Sequence, residues 1–195
     1  MKYISIDLEA TGLDDDCLII EFAAIPFDSA DYKLDESLSF HTYVKCPTFE
    51  ELKPKLSPWV IEHNEELIRK ANERGPSLEQ FKLDFERYLT SESIRSYREE
   101  ERYVLFGKSL SAIDLPFLNR DLGSDFMKKH FYHRQLDLSS FAYALIDMNL
   151  LSKEMVGGEE LMAFLGMDKV AHTALEDAIN TAKMYFELLK KFTPS

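Results

Sequence analysis

The stretch "ISIDLEATGL" (Ile4–Leu13) is where the fold of this chain is decided. In an extended segment successive side chains alternate faces, so Ile4, Ile6 and Leu8 share one face and Ser5, Asp7 and Glu9 the other. The apolar face predicts a strand packed on a core. The opposite face ends in two carboxylates aimed the same way. Like charges that close repel, so they need either open water or a positive group between them.

Working outward, the first 45 residues read as three strands, Lys2–Leu8, Leu18–Phe27 and Ser37–Val44, the last two joined across the polar "DSADYKLDE". The pattern breaks around Pro47–Pro58. Ser57 followed by Pro58 predicts a helix start, with Ser as cap and Pro as first helical residue, in a helix running through Trp59, Ile61 and Ile68. Trp59 and His63, one turn apart on it, read either as the lining of a pocket or, the preferred reading, as a core Trp with an exposed His beside it. "SLEQ" (Ser77–Gln80) is a capping-box pattern for a helix reaching about Leu89. "YVLFG" (Tyr103–Gly107) is a short buried strand, followed by a helix over Asp114–Leu122. A short strand at Arg134–Leu138, a helix over Ser139–Asn149, a small helix near Glu159–Phe164 and a long helix over Ala174–Lys191 complete the pattern. Strands first, then helices alternating with short strands, predict an α/β fold with a mixed central sheet flanked by helices. No repeat or Gly/Ser linker divides the chain, so residues 1–195 read as a single domain.

Composition narrows the function. With 45% hydrophobic and 12% aromatic residues, the chain has enough apolar material for one packed core. No apolar run approaches the ~20 residues of a membrane span, and the opening "MKYISIDLEA" lacks the pattern of a signal peptide. Cys17 and Cys46 have no metal-ligand spacing and read as reduced thiols, which fits a cytoplasmic location. The net charge of −12 opposes a broad basic surface for phosphate, so a nucleic-acid partner would need local basic residues or bound cations.

Three further acids matter. In "AHTALEDAINTA" (Ala171–Ala182), Thr173 and Glu176 fit a capping box, which accounts for Glu176; Asp177, about 100° further round the helix, is left over. His172 lies just before that helix. In "FGKSLSAIDLPFL" (Phe106–Leu118), Ser111 and Asp114 again fit a capping box, and Asp114 alone reads equally well as an acid favoured by the helix dipole. Glu21, inside the apolar "LIIEFAAI", is either an exposed edge acid or a partner to a metal ligand. Taken together, Asp7, Glu9, Asp114 and Asp177 come from one strand end and two helix starts, and such a cluster is stable only around divalent cations. Two Mg²⁺ ions ~4 Å apart are a standard device for in-line attack of water on a phosphodiester.

On these motifs the sequence resembles the DEDDh family of 3′–5′ exonucleases, which includes ribonuclease T, oligoribonuclease and polymerase proofreading subunits. "IDLEATGL" resembles the first motif, "GKSLSAIDLPFL" the second and "AHTALEDA" the third, in order over residues 4 to 182. Ser109 stands after Lys108 where the triplet GKN is frequent, and Ile113 precedes the aspartate where Phe is common. The resemblance implies a ribonuclease H-like fold and release of nucleoside monophosphates from the 3′ ends of single-stranded or short nucleic acids. It implies two Mg²⁺ ions, with Mn²⁺ as a substitute, held by Asp7, Glu9, Asp114 and Asp177, with Asp7 touching both. It implies His172 as the general base, and substrate contacts at Thr11, Leu13, Lys108 and Ser109, Leu13 wedging between the last two bases. A homodimer or a polymerase-type partner protein is compatible with it. The competing expectation is a catalytically silent nuclease-fold module that binds nucleic acid or protein, whose mark would be a lost ligand.

Overall fold

The computed structural model describes residues 1–168 and 173–193. Strand β1 (Lys2–Ala10) runs through the middle of a six-stranded sheet. It pairs antiparallel with β2 (Ile19–Asp28), and β2 carries β3 (Lys33–Leu34) and β4 (Phe40–Tyr43), both antiparallel, on its other side. Four short or medium helices follow, α1 (Phe49–Leu52), α2 (Pro58–His63), α3 (Glu65–Arg74) and α4 (Leu78–Thr90), then the single turn α5 (Glu92–Arg95). Strand β5 (Leu105–Gly107) joins β1 in parallel and leads to α6 (Asp114–Asp121) and α7 (Ser124–His130). Strand β6 (Leu136–Asp137) pairs in parallel with β5, before α8 (Leu138–Asp147), α9 (Gly158–Phe164) and the long α10 (Ala174–Phe192). The sheet is therefore mixed and covered by helices on both faces, as the alternation of elements predicts.

The two-residue period of β1 sorts the layers. Ile4, Ile6 and Leu8 join Phe22 and Ala24 of β2 in a core completed by Phe81, Phe85 and Leu89 of α4 and Phe117 and Leu118 of α6. The rings of Phe22 and Phe85 meet edge-on at 4.8 Å, a favoured aromatic geometry. On the other face the hydroxyl of Ser5 donates to the Ala178 carbonyl of α10 at 2.7 Å, while Ala23 and Ile25 pack on Ala174, Ala178 and Ile179. Asp7 and Glu9 thus look toward the face that α10 covers.

Several expected boundaries move. The strand expected over Ser37–Val44 is only Phe40–Tyr43, because Asp35 caps a tight turn at Glu36–Leu38. The break at Pro47–Pro58 contains α1, closed by a Thr48–Glu51 capping box. The helix expected from Ser57 through Ile68 is two helices, divided at Asn64, whose backbone (φ −112°, ψ 7°) leaves helical geometry. Ser77 and Thr173 cap their helices as expected, the hydroxyl accepting from Gln80 N–H at 3.2 Å and from Glu176 N–H at 3.2 Å, but the Gln80 side chain does not complete a box and donates to Asp84 instead. The box expected at Ser111 and Asp114 does not form: Asp114 is itself the first residue of α6, which has no side-chain cap. The strand expected over Arg134–Leu138 shrinks to two residues because Asp137 caps α8, accepting from Ser139 N–H at 2.8 Å. Cys17 and Cys46 are both free thiols. No helix among the described residues is long and apolar enough to cross a membrane.

Candidate active site

Asp7 and Glu9 stand two residues apart on β1, where strand alternation gives them one face. The ladder shifts register between Glu9 and Ala10, next to the loop that carries Thr11 to Leu18. Asp177, on the first turn of α10, is brought up to them. One carboxylate oxygen from each of Asp7, Glu9 and Asp177 lies within 4.8 Å of the other two. Asp114 is outside that group, yet among the described residues its charge acts on Asp7 most strongly. Asp114 is buried, and backbone hydrogen bonds at Asp114 and Leu8 partly offset the cost of its charge.

The electrostatics show what such a cluster requires. Burial, then repulsion from Asp114, Asp177, Glu9 and Glu21, holds the Asp7 carboxyl well above the ordinary carboxylate range. Burial first and then Asp177 and Glu21 push Glu9 up to about 7, against a lowering hydrogen bond from the Asn64 side chain. Burial likewise pushes Asp114 up to about 7. Among the described residues, the charges acting on these three groups are other carboxylates. Hard divalent cations take oxygen ligands of this kind, and their charge removes the repulsion, so the donor set fits the metal ions expected from the sequence.

A cleft opens beside Glu9. Two pockets of about 670 and 600 Å³ share Glu9, Trp59 and Asn64. The first is lined also by Thr11 and Leu13, the second by His63, Tyr43 and Thr173. Leu13 is 77% exposed at the cleft mouth. Thr11 closes the loop behind it, its N–H donating to the Leu18 carbonyl and its hydroxyl accepting from Leu18 N–H, both at 2.9 Å. Gly12 permits this turn: at φ +155° an added Cβ would sit 2.7 Å from Cys17 Sγ.

Of the two readings of Trp59, the structure corrects the preferred one, a place in the core, and puts the ring in the lining of both pockets. Trp59 is 60% exposed, and its ring stacks on His63 at 4.5 Å with 13° between planes. Pro58 and Trp59 open α2, and the break at Asn64 turns that short helix so that the stacked pair faces the cleft. Lys108 and Ser109 are not brought to either pocket. Ser109 sits at φ +60° with its N–H donating to Asp137 Oδ1 at 3.1 Å and its hydroxyl 3.0 Å from that of Ser139, while Lys108 lies across Gly158 at the start of α9. His172, expected as the base, lies outside the described residues.

Two residues were missed as parts of the site or left open. Asn64 hydrogen-bonds Glu9; an Asn followed by Glu65 and Glu66 is a helix-start signal that the apolar spacing through Ile68 overrode. Glu21 is buried at 1% exposure, in register with Glu9 across the ladder, and is no edge acid.

This geometry coincides with the sequence relationship. The RNase T exonuclease family model matches residues 4–185. The chain therefore belongs to the RNase T exonuclease family, whose DEDDh motifs its own sequence resembles. Its ribonuclease H-like fold is shared with the nuclease domain of 3′hExo, a DEDDh family member bound to rAMP (17% identity, TM-score 0.69, 98% of this chain and 92% of that one). It is also similar to S. pombe Pop2p in a Mg²⁺- and Mn²⁺-bound form (18%, 0.67, 97% and 83%) and to E. coli exonuclease I in complex with an oligonucleotide (15%, 0.68, 99% and 41%). Among curated proteins none matches.

Proposed function

We propose that this protein is a divalent-metal-dependent 3′–5′ exonuclease that releases nucleoside monophosphates from single-stranded or short nucleic acids. The observation that carries the reading is the Asp7, Glu9 and Asp177 group, oxygens within 4.8 Å, opening onto a cleft with an exposed apolar and aromatic lining. Asp7, Glu9, Asp114 and Asp177 would hold Mg²⁺ or Mn²⁺. When bound, the metal supplies Lewis-acid stabilisation of charge developing on the phosphate and activation of water. Leu13 and the Trp59–His63 stack offer apolar and aromatic faces to the terminal bases, worth ~1–3 kcal/mol per stacked base. The backbone at Thr11 borders the same space, and His172 takes the proton from the attacking water. A nucleotide end, unlike a duplex interior, presents unstacked bases that such a cleft accepts. The resemblance of the motifs supports the 3′ direction, as does the monophosphate bound by the 3′hExo nuclease domain.

The test is product analysis on single-stranded RNA and DNA, each labelled at the 5′ end and, separately, blocked by a 3′-phosphate. Stepwise shortening of the 5′-labelled strand with release of monophosphates, slowed by the 3′ block, is expected. Internal cleavage, or release of the 5′ label as the first product, would overturn the polarity; no hydrolysis of either strand would favour the silent module.

A further inference from the structure

Glu21 is a further acid beside the four of the metal cluster, and its charge adds to the burden on Asp7 and Glu9. It contributes no oxygen to the group formed by Asp7, Glu9 and Asp177. Both of its own oxygens are engaged. Oε1 is 2.5 Å from His41 Nε2, and Oε2 accepts from the backbone N–H of Ala174 at 3.1 Å.

Ala174 is the first residue of α10, and Asp177 stands three residues further along the same first turn. The group of Asp7, Glu9 and Asp177 is assembled from two separate elements, so its geometry depends on how α10 is seated on the sheet. Around the first turns of α10 that seat is apolar and mostly small, Ala23 and Ile25 against Ala174, Ala178 and Ile179, while large rings pack further along the helix, Tyr3 on Tyr185 and Phe27 on Phe186. Apolar contact is non-directional and tolerates sliding, whereas a hydrogen bond fixes distance and direction. Thr173 caps Glu176 within the helix's own first turn, and Ser5 ties the helix to β1 one turn further on. Glu21 is a polar tie from the sheet to the turn that bears Asp177, and His41 on β4 braces the carboxylate from its other side. A carboxylate at a helix N-terminus is favoured by the dipole, so this tie is a strong one.

We propose that Glu21, braced by His41, is a positioning residue that sets Asp177 against Asp7 and Glu9 by holding the first amide of α10. This rests on the metal-centre reading above. Partners that orient metal ligands cost about 10- to 100-fold in metal affinity when removed.

The experiment is calorimetric titration of the folded protein with Mn²⁺, together with the Mg²⁺ concentration giving half-maximal nuclease activity. Glu21→Ala is expected to weaken Mn²⁺ binding about 10- to 100-fold and raise the Mg²⁺ requirement in parallel, with kcat recovered at saturating metal. Glu21→Gln keeps an oxygen that accepts from Ala174 and is expected to remain within about threefold of wild type on the same scale. Ala174→Pro removes the donated N–H at a helix position that tolerates proline, and carries the test if Glu21→Ala does not fold; it too is expected to weaken the metal. Wild-type metal affinity in the folded fraction of Glu21→Ala and Ala174→Pro, whatever their melting temperatures, would overturn the proposal. A wild-type protein that binds no Mn²⁺ would be a different failure, of the metal centre itself, and would take this proposal with it.

Discussion

Asp7 illustrates how a single residue is caught between function and stability. Its carboxyl is held far above the usual range by burial and four neighbouring acids, so without metal it is a liability to the fold. Asp7→Asn keeps the shape and removes the charge. It is expected to abolish metal-dependent hydrolysis and, in EDTA at pH 8, to melt about 2–4 °C higher, the equivalent of ~1 kcal/mol in a chain of this size. Activity assays and thermal melts on the same preparation check both; an unchanged or lower melting temperature would mean that Asp7 is already balanced by a positive group. His172→Ala removes a base and no ligand. Turnover should fall by about 10²–10⁴ while Mn²⁺ affinity persists, and near-normal turnover at neutral pH would assign the base elsewhere. At this scale Asp7, Glu9 and Asp177 were legible because strand alternation and helix spacing fix them locally. Glu21 was legible only as one of two readings and Asn64 not at all, because their partners Ala174, His41 and Glu9 come from distant elements.

The elements show where local signals suffice and where packing overrides them. Ser77 and Thr173 announced their helices because the capping hydroxyl and the amide it meets are three residues apart. The Ser111–Asp114 pattern had the same spacing and failed: Ser109 turns at φ +60°, and Asp114 is itself the first residue of α6, where its charge acts on Asp7. Helix α7 carries Gly123 rather than a side-chain cap at its start, so no start signal marked it. The break at Asn64 matters most for function, because it aims α2 at the cleft and leaves Trp59 60% exposed. Trp59→Ala is expected to raise KM about five- to hundredfold, from the ~1–3 kcal/mol of one stacked base, with kcat little changed. The melting temperature should hold, as exposed substitutions usually stay within about 0.5 kcal/mol. An unaltered KM would remove the stack from the substrate site; a large loss of stability would return Trp59 to the core.

For the molecule as a whole, charge governs both stability and substrate. Glu9 and Asp114 are each pushed up to about 7, above their ordinary values of 4.5 and 3.8. The folded, metal-free protein therefore keeps protons that the unfolded chain releases between about pH 4 and 7, and these groups cost stability progressively as pH rises through that window. The buried ring of His130, held below its usual value, works in the opposite direction, so the informative quantity is the difference made by metal at each pH. The rise in melting temperature on adding Mg²⁺ should be small at pH 5 and grow toward pH 8; a shift that shrinks over that range would contradict the cluster's part in binding. With a net charge of −12, few phosphates can be held by basic groups. Log kcat/KM should fall with log salt at a slope of about −1 to −3, taking ~0.7 per phosphate on a single strand. Kinetics over a salt series at fixed Mg²⁺ check this, and a slope of −6 or steeper would require an extended basic track.

The most direct measurement follows a 5′-labelled oligonucleotide through a time course with wild type and Asp7→Asn, each in Mg²⁺ and in EDTA. The expected result is a ladder shortening one nucleotide at a time from the 3′ end only with wild type in Mg²⁺. The same ladder in EDTA, or from Asp7→Asn in Mg²⁺, would show that the carboxylate cluster on β1 and α10 is not the centre that performs the reaction.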